Sequence, residues 1–173
     1  MVTPTPHAPR TTPLEEELRR LAGSVPDPEL PMVSLAELGV VRGLRILAPG
    51  RVEVELTPTY TGCPALESMA ADIERVLHER GIPEVAVRTV LSPPWTTDAI
   101  SAEGRRKLAE AGIAPPSPGR AAAGGPIAVA LAVRCPHCGS TETTLLNRFS
   151  STACKALRRC EACREPFDHF KEL

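Results

Sequence analysis

Hydrophobic positions in the first half of the chain change between a helical period and a strand period. Leu14, Leu18 and Leu21, spaced four and three residues apart, follow Thr12, which forms the capping box of a helix with Glu15. Val52, Val54 and Leu56 alternate with polar residues, which is the period of a half-buried strand. Such patterns predict a helix over 12–23, strands over 40–47 and 52–56, a helix over 64–80 and a third strand over 85–91. This order is that of a small two-layer α+β domain.

Shorter signals complete the organisation of the chain. A second capping box, Ser34 with Glu37, predicts a single helical turn that ends at Gly39, and a last helix is predicted over 98–111. The residues after it are rich in Pro, Gly and Ala and have no periodicity, so the boundary between two domains falls there. The predicted parts are a disordered leader over 1–13, an α/β domain over 14–112, a linker over 113–126 and a four-cysteine domain over 127–173.

Composition restricts the classes of protein to which the chain can belong. Aromatic residues are only 3% of its 173 residues, so aliphatic side chains must build the core. The formal net charge is −1, and residues 127–173 carry only +2, which predicts no nucleic-acid partner. No apolar run reaches membrane-spanning length, and the Pro- and Thr-rich start lacks the apolar segment of a signal peptide. We therefore expect a cytoplasmic protein in a reducing compartment, with no membrane partner.

Four cysteines of the tail form two C-x-x-C pairs, Cys135 with Cys138 and Cys160 with Cys163. Fewer than fifty residues cannot bury enough apolar surface to fold alone, and a structural metal ion supplies the missing stability. The two pairs, separated by twenty-one residues, offer four thiolates for a closed tetrahedral shell and predict a zinc-ribbon-like domain. Iron uses the same ligands in rubredoxin-like centres and stays an alternative, as do two disulfides or a redox-active pair.

Three further residues of the tail have weaker interpretations. His137 and His169 are expected to be surface side chains rather than metal ligands. Cys154 lies near the second cysteine pair in sequence. It is either a small buried residue or a spare thiol able to exchange with the four-cysteine site.

The α/β domain holds one cysteine, Cys63, directly before Pro64. Proline suits the first position of a helix, so the thiol is expected over the free amides of a helix N-terminus, where its pKa would be lowered. A buried cysteine without any role fits the same position. Asp27 and Glu29 lie on a proline-rich loop that could approach this turn and share a metal ion with the thiol, although two merely solvated carboxylates also explain the loop.

Longer strings of residues resemble a known family. Over about residues 14–112, the chain is similar to a small α/β family associated with iron–sulfur assembly, through DPELP at 27–31, LTPTYTGCP at 56–64 and PPWTTD at 93–98. The tail narrows the resemblance to the D subunits of bacterial phenylacetyl-CoA epoxidase systems, through CPHC at 135–138, STACKAL at 151–157, CEAC at 160–163 and PFDHFK at 166–171.

This resemblance implies a role in aerobic phenylacetate breakdown, in which a multicomponent di-iron oxygenase epoxidises the ring of phenylacetyl-CoA. The chain lacks the paired Glu and Glu-x-x-His ligands of a di-iron site and any dinucleotide fingerprint, so a non-catalytic subunit is expected. By the resemblance, Cys63, Asp27 and Glu29 would hold a transient iron ion or iron–sulfur cluster for the oxygenase or reductase subunits. Two rival functions stay open: a nucleic-acid-binding zinc ribbon and a thiol oxidoreductase that uses Cys63.

Overall fold

The computed structural model describes residues 12–60, 62–116 and 133–172, and has the mixed α+β architecture expected from the sequence. Its elements are α1 (Pro13–Gly23), α2 (Leu35–Leu38), β1 (Val41–Ala48), β2 (Arg51–Leu56), α3 (Leu66–Glu79), β3 (Glu84–Thr89), α4 (Ala102–Glu110), β4 (Ile113–Ala114), β5 (Thr143–Asn147), β6 (Lys155–Cys160) and β7 (Pro166–Phe170). A 3-10 helix, Thr97–Ala99, precedes α4. Residues 1–11 of the predicted leader and 117–126 of the predicted linker lie outside the described residues.

Three strands form the sheet of the α/β domain, in the order β1-β2-β3. β1 and β2, both predicted as strands, form an antiparallel hairpin, whereas β2 and β3 run parallel because α3 connects them as a crossover. Helices α1 and α3 pack against the sheet and against each other. Leu18, Val54 and Ile73 are fully buried between these layers, so the aliphatic core predicted from the composition is present.

Both predicted capping boxes are present. The Thr12 hydroxyl oxygen accepts a hydrogen bond from the Glu15 amide, and the Glu15 carboxylate accepts one from the Thr12 amide. Ser34 and Glu37 make the same pair of bonds at the start of α2. Gly39 ends α2 with φ 69°, in the left-handed region that glycine adopts without steric cost.

Several element boundaries differ by a few residues from the sequence prediction. Pro13 is the first residue of α1, as the capping pattern at Thr12 predicts, so the leader predicted over 1–13 is wrong at this residue. The helix predicted over 64–80 begins only at Leu66, because a turn in which the Leu66 amide donates to the Cys63 carbonyl comes first. β3 ends at Thr89, two residues earlier than predicted, and the following apolar side chain, Leu91, is exposed.

The helix predicted over 98–111 is interrupted at Ile100. The backbone of Ile100 is extended, which places its side chain in the core at 3% exposure. The next residue, Ser101, then caps α4 by accepting a hydrogen bond from the Gly104 amide. None of the described helices is both long enough and apolar enough to cross a bilayer.

A second sheet, in the order β4-β7-β6-β5, forms the ribbon. Its strand β4 lies in the stretch predicted as a linker over 113–126, so that prediction is wrong at its first two residues. Ile113 and Ala114 are buried, and β4 pairs in parallel with β7 through Ile113 and Asp168. Only two residues separate α4 from β4, so the first strand of the ribbon sheet follows the last helix of the α/β domain directly.

Phe170 of the ribbon packs against the core of the α/β domain. Phe170 is fully buried and belongs to the same hydrophobic cluster as the core residues of the first domain. Its ring centroid lies 6.0 Å from that of Trp95, whose indole Nε1 donates to the Leu38 carbonyl at 2.8 Å. Phe149, by contrast, is 60% exposed. The two domains therefore share one core through Phe170.

Replacing Phe170 by alanine is expected to lower the free energy of unfolding of the metal-loaded protein by about 3–5 kcal/mol, because it leaves a large cavity in the shared core. The matched control is Phe149→Ala. Phe149 is exposed, and the Lys171 ammonium lies 4.5 Å from the centre of its ring, so a loss below about 1 kcal/mol is expected. Urea unfolding followed by Trp95 fluorescence measures both values. Equal losses in the two variants would contradict a shared core.

Candidate functional site

The four cysteines of the two C-x-x-C pairs meet in the ribbon. Their sulfur atoms all lie within 4.8 Å of one another. Cys135 Sγ is 3.8 Å from Cys163 Sγ, and Cys138 Sγ is 3.5 Å from Cys160 Sγ. A metal ion bound by four thiolates at about 2.3 Å separates neighbouring sulfurs by about 3.8 Å, so the cage has the size of a tetrahedral centre. All four cysteines are free rather than disulfide-bonded. The cluster is a metal-binding site.

The two cysteine pairs sit in matching backbone turns. The residue that follows each second cysteine has a positive φ, 77° at Gly139 and 68° at Arg164. Its amide donates to the carbonyl of the first cysteine of the pair, at 2.9 Å to Cys135 and 3.0 Å to Cys160. The Cys163 amide also donates toward the Cys160 sulfur and lowers the pKa of that thiol to about 7, which favours the thiolate form of a ligand.

The two histidines of the ribbon differ in their exposure to solvent. His137 is exposed, as predicted. His169, predicted to be a surface side chain, is instead partly buried on β7. Burial lowers its pKa to about 4, with a further contribution from the nearby positive charge of Arg158, so the imidazole is neutral at physiological pH.

A second cluster of reactive side chains lies where the ribbon meets the α/β domain. This junction site consists of Asp27, Glu29, Tyr60, Cys63 and Cys154. Cys154 Sγ lies 4.0 Å from Glu29 Oε2, although 125 positions separate the two residues in sequence. The Tyr60 hydroxyl and the Cys63 thiol form a hydrogen bond. Glu29 and Asp27 are also close enough for their charges to affect the Cys63 thiol.

The two carboxylates of the junction site differ in their surroundings. Asp27 is only 4% exposed, and its Oδ1 accepts 2.8 Å hydrogen bonds from the amides of Glu29 and Leu30. Burial nevertheless raises the pKa of Asp27. Glu29 is partly exposed, and its pKa is raised by burial and then by the charge of Asp27. The buried ammonium of Lys155 counteracts both shifts while it pairs with Asp168 Oδ2 at 3.1 Å.

Both thiols of the junction site have raised pKa values, which favour the protonated form. Burial raises the pKa of Cys63, the negative charges of Glu29 and Asp27 raise it further, and the hydrogen bond from the Ala65 amide offsets this only in part. The prediction of a lowered pKa is therefore wrong. The predicted effect of the helix N-terminus is outweighed, since α3 starts at Leu66 with Ala65 as its cap, Cys63 precedes both, and the bond from the Ala65 amide does not offset burial and the carboxylate charges.

Cys154 is buried, with 3% exposure, and burial raises the pKa of its thiol as well. Its sulfur contacts the Thr152 hydroxyl at 3.1 Å and faces Glu29, in the α/β domain. Of the two roles weighed for it, the structure places Cys154 as a buried residue. The structure also places Glu29 beside Cys154, a contact that the sequence position of Cys154 does not indicate.

The raised pKa of Cys63 predicts slow alkylation at neutral pH, because the thiolate is the nucleophile. We expect the metal-loaded protein to react with iodoacetamide at Cys63 more slowly than free cysteine does at a pH of about 7.5, and the rate to rise as the pH is increased. Peptide mass spectrometry over a time course measures the rate at this residue. A Cys63 that reacts faster than free cysteine would restore the thiolate interpretation.

Tyr60 and Lys155 belong to the surroundings of this site, and reasoning from the sequence did not assign either a role. Tyr60 is the only tyrosine of the chain and lies three residues before Cys63, a spacing that could have drawn attention to it. Burial raises its pKa to about 12, and the charge of Cys63 adds to the shift, so its hydroxyl stays a hydrogen-bond donor. Nothing in the sequence position of Lys155 indicates its burial.

Two family models match the chain. One, described as an iron–sulfur cluster assembly protein, covers residues 15–92, and the other, described as the PaaD zinc beta ribbon domain, covers residues 121–171. The first model thus includes Asp27, Glu29 and Cys63, and the second includes Cys154 and the four-cysteine cage. The junction site draws its residues from both matched regions.

Individual relatives agree with these matches. An Escherichia coli protein, provisionally named as a 1,2-phenylacetyl-CoA epoxidase component of the D type, is 43% identical over 159 residues, which cover 92% of this chain and 93% of that protein. An iron–sulfur protein maturation auxiliary factor of Porphyromonas gingivalis is 32% identical over 95 residues, 54% of this chain and 90% of that protein. A crystal structure of a domain of unknown function, DUF59, from Bacillus anthracis has a TM-score of 0.50 and 27% identity, and the match covers 54% of this chain and 90% of that one.

Proposed function

Because the chain belongs to the family of phenylacetyl-CoA epoxidase D subunits, we propose that it is an accessory subunit that assists assembly of a metal centre in that system. The observation that carries this proposal is the junction site. It places a thiol and two carboxylates of the iron–sulfur-assembly-type domain beside each other, and such groups bind iron. The most direct recipient would be the reductase, with its iron–sulfur cluster, or the di-iron oxygenase.

In this proposal Cys63, Asp27 and Glu29 form the transfer site. The negative charges of both carboxylates lower the local electrostatic potential, so they attract a cation and stabilise it once bound. The neutral Cys63 thiol is stable without metal and becomes a thiolate ligand by losing its proton when a cation binds. Tyr60 holds the sulfur in place through its hydroxyl. These side chains bind and release a cargo, and none of them is assigned a step of the epoxidation.

For the ribbon we propose a structural role and zinc as the metal. Four thiolates close the shell and leave no open position for a substrate, which is typical of structural zinc. Iron in the same cage is an alternative that metal analysis decides. With a folded ribbon, Phe170 and Cys154 are held against the α/β domain.

The rival functions find less support. A thiol oxidoreductase needs an accessible thiolate, whereas Cys63 and Cys154 are buried and burial raises the pKa of both. A nucleic-acid-binding ribbon needs a positive surface, and residues 127–173 carry a formal charge of only +2.

The experiment that tests the proposal measures iron in the partners. Oxygenase and reductase subunits are purified from cells that contain the wild-type chain, from cells that lack it, and from cells that contain Cys63→Ala. We expect iron-deficient reductase or oxygenase from the last two. Full iron content in both subunits from cells without the chain would refute a maturation role.

A further inference from the structure

We propose that Cys154 of the ribbon is the second thiolate ligand of the transfer site, so that both domains together bind a thiophilic divalent cation such as ferrous iron. This inference rests on the proposed function, because it adds a ligand to the site of Cys63. It also gives the ribbon a part in binding the cargo, beyond its structural role.

Geometry provides the first argument. The Cys154 sulfur and the Glu29 carboxylate come from different domains and lie 4.0 Å apart. Two such ligands on one tetrahedral ion, with metal–sulfur and metal–oxygen distances of about 2.3 and 2.1 Å, lie about 3.6 Å apart. A small rotation of the partly exposed Glu29 side chain closes this difference. The same Glu29 lies close enough to Cys63 for its charge to act on that thiol.

The electrostatic contacts show that the two thiols share one set of neighbours. Asp27 and Glu29 act on Cys63 and also on Cys154. Tyr60 is hydrogen-bonded to Cys63 and is affected by the charge of Cys154. The two buried thiols therefore lie within reach of the charges of the same two carboxylates, and Glu29, which contacts Cys154 at 4.0 Å, links the two domains.

Two thiols can bind a divalent cation without any change in the charge of the buried site. When a divalent cation binds, each S–H bond breaks, each sulfur forms a bond to the metal, and two protons leave to solvent. The two thiolates neutralise the two positive charges, so the buried site does not acquire a net charge from the exchange. One thiolate alone would leave a positive charge for the carboxylates to compensate.

The ligand atoms of the junction site are spread more widely than those of the four-cysteine cage, which suits a metal ion that must be released again. Among the described residues, only the ribbon cysteines bring three or more ligand atoms within 4.8 Å of one another. The junction site is less preorganised than this cage, and a less preorganised site binds its metal more weakly. The chain would thus hold a structural ion firmly in the cage and a transferable ion at the junction.

The test uses the full-length, zinc-loaded chain and Co²⁺ as the probe, under anaerobic and reducing conditions. Zinc stays in the cage because the site prefers Zn²⁺ to Co²⁺. We expect one further Co²⁺ to bind with sulfur-to-cobalt charge-transfer absorption from two thiolates. Cys154→Ser and Cys63→Ser should each lose about half of this absorption and bind Co²⁺ at least about tenfold more weakly. Ala156→Ser, a change at a buried residue two positions from Cys154, is the matched control and should behave as wild type.

Retained zinc shows that a variant still has a folded ribbon. If Cys154→Ser loses zinc, the wild-type absorption becomes the test: charge-transfer intensity from two thiolates per Co²⁺ supports the inference, and intensity from one thiolate overturns it. Wild-type absorption and affinity in Cys154→Ser, together with a loss in Cys63→Ser, would overturn the inference and leave the proposed transfer site intact. An absence of thiolate-bound Co²⁺ in the wild-type chain, or no change in either cysteine variant, would overturn both.

Discussion

Excess chelator, with the thiols kept reduced, is expected to unfold the ribbon while the α/β domain stays folded. A small four-cysteine domain receives about 10–16 kcal/mol from its metal ion, more than its few buried side chains provide. The dispersed amide signals of residues 133–172 should collapse, whereas those of β1, β2 and α3 should persist. Because Phe170 packs on Trp95, the only tryptophan, the fluorescence of Trp95 should shift to longer wavelength in the same transition.

Single cysteine variants give the control for this prediction. Cys138 is the exposed ligand, so Cys138→Ser removes a metal ligand with little loss of packing and should lower the metal content and soluble yield. Cys63→Ser should leave the metal content of the purified protein nearly unchanged. Retention of the dispersed ribbon spectrum in excess chelator would contradict a metal-dependent fold. An equal loss of metal from Cys63→Ser would show that the ligands are assigned incorrectly.

Replacing Cys63 by alanine is expected to abolish phenylacetyl-CoA epoxidation in cells, even though the variant folds and keeps its ribbon metal. The thiol packs in a buried turn, so alanine fits there, but no sulfur remains for a cargo. Growth on phenylacetate as the only carbon source, together with purification of the variant, measures both parts of the prediction. Ala65→Ser, a change in the same buried turn that keeps the thiol, should support growth. Normal growth with Cys63→Ala would remove Cys63 from the mechanism.

The sequence predicted those features that depend on local spacing. Capping boxes at Thr12 and Ser34 follow from residues three positions apart, and both are present. The C-x-x-C pairs likewise indicate a metal cage, because each pair forms its own turn. Such signals are reliable because the interacting groups lie close together in the chain.

Features that depend on distant parts of the chain were missed or wrong. The raised pKa of Cys63 comes from burial and from a loop more than thirty residues away, which outweigh any effect of the neighbouring helix. Ile113 and Ala114 follow no strand period of useful length and become a strand only by pairing with β7. The approach of Cys154 to Glu29 depends on how the two domains dock, and no local pattern encodes that.

The measurement that most directly tests the central claim is turnover by partners that are already mature. Oxygenase and reductase are purified with full iron and cluster content, and phenylacetyl-CoA epoxidation is assayed without the chain, with the wild type and with Cys63→Ala. An assembly factor is no longer needed at this stage, so equal rates are predicted in all three assays. A requirement for the wild-type chain at every turnover would instead make it a working component of the epoxidase and contradict the proposed function.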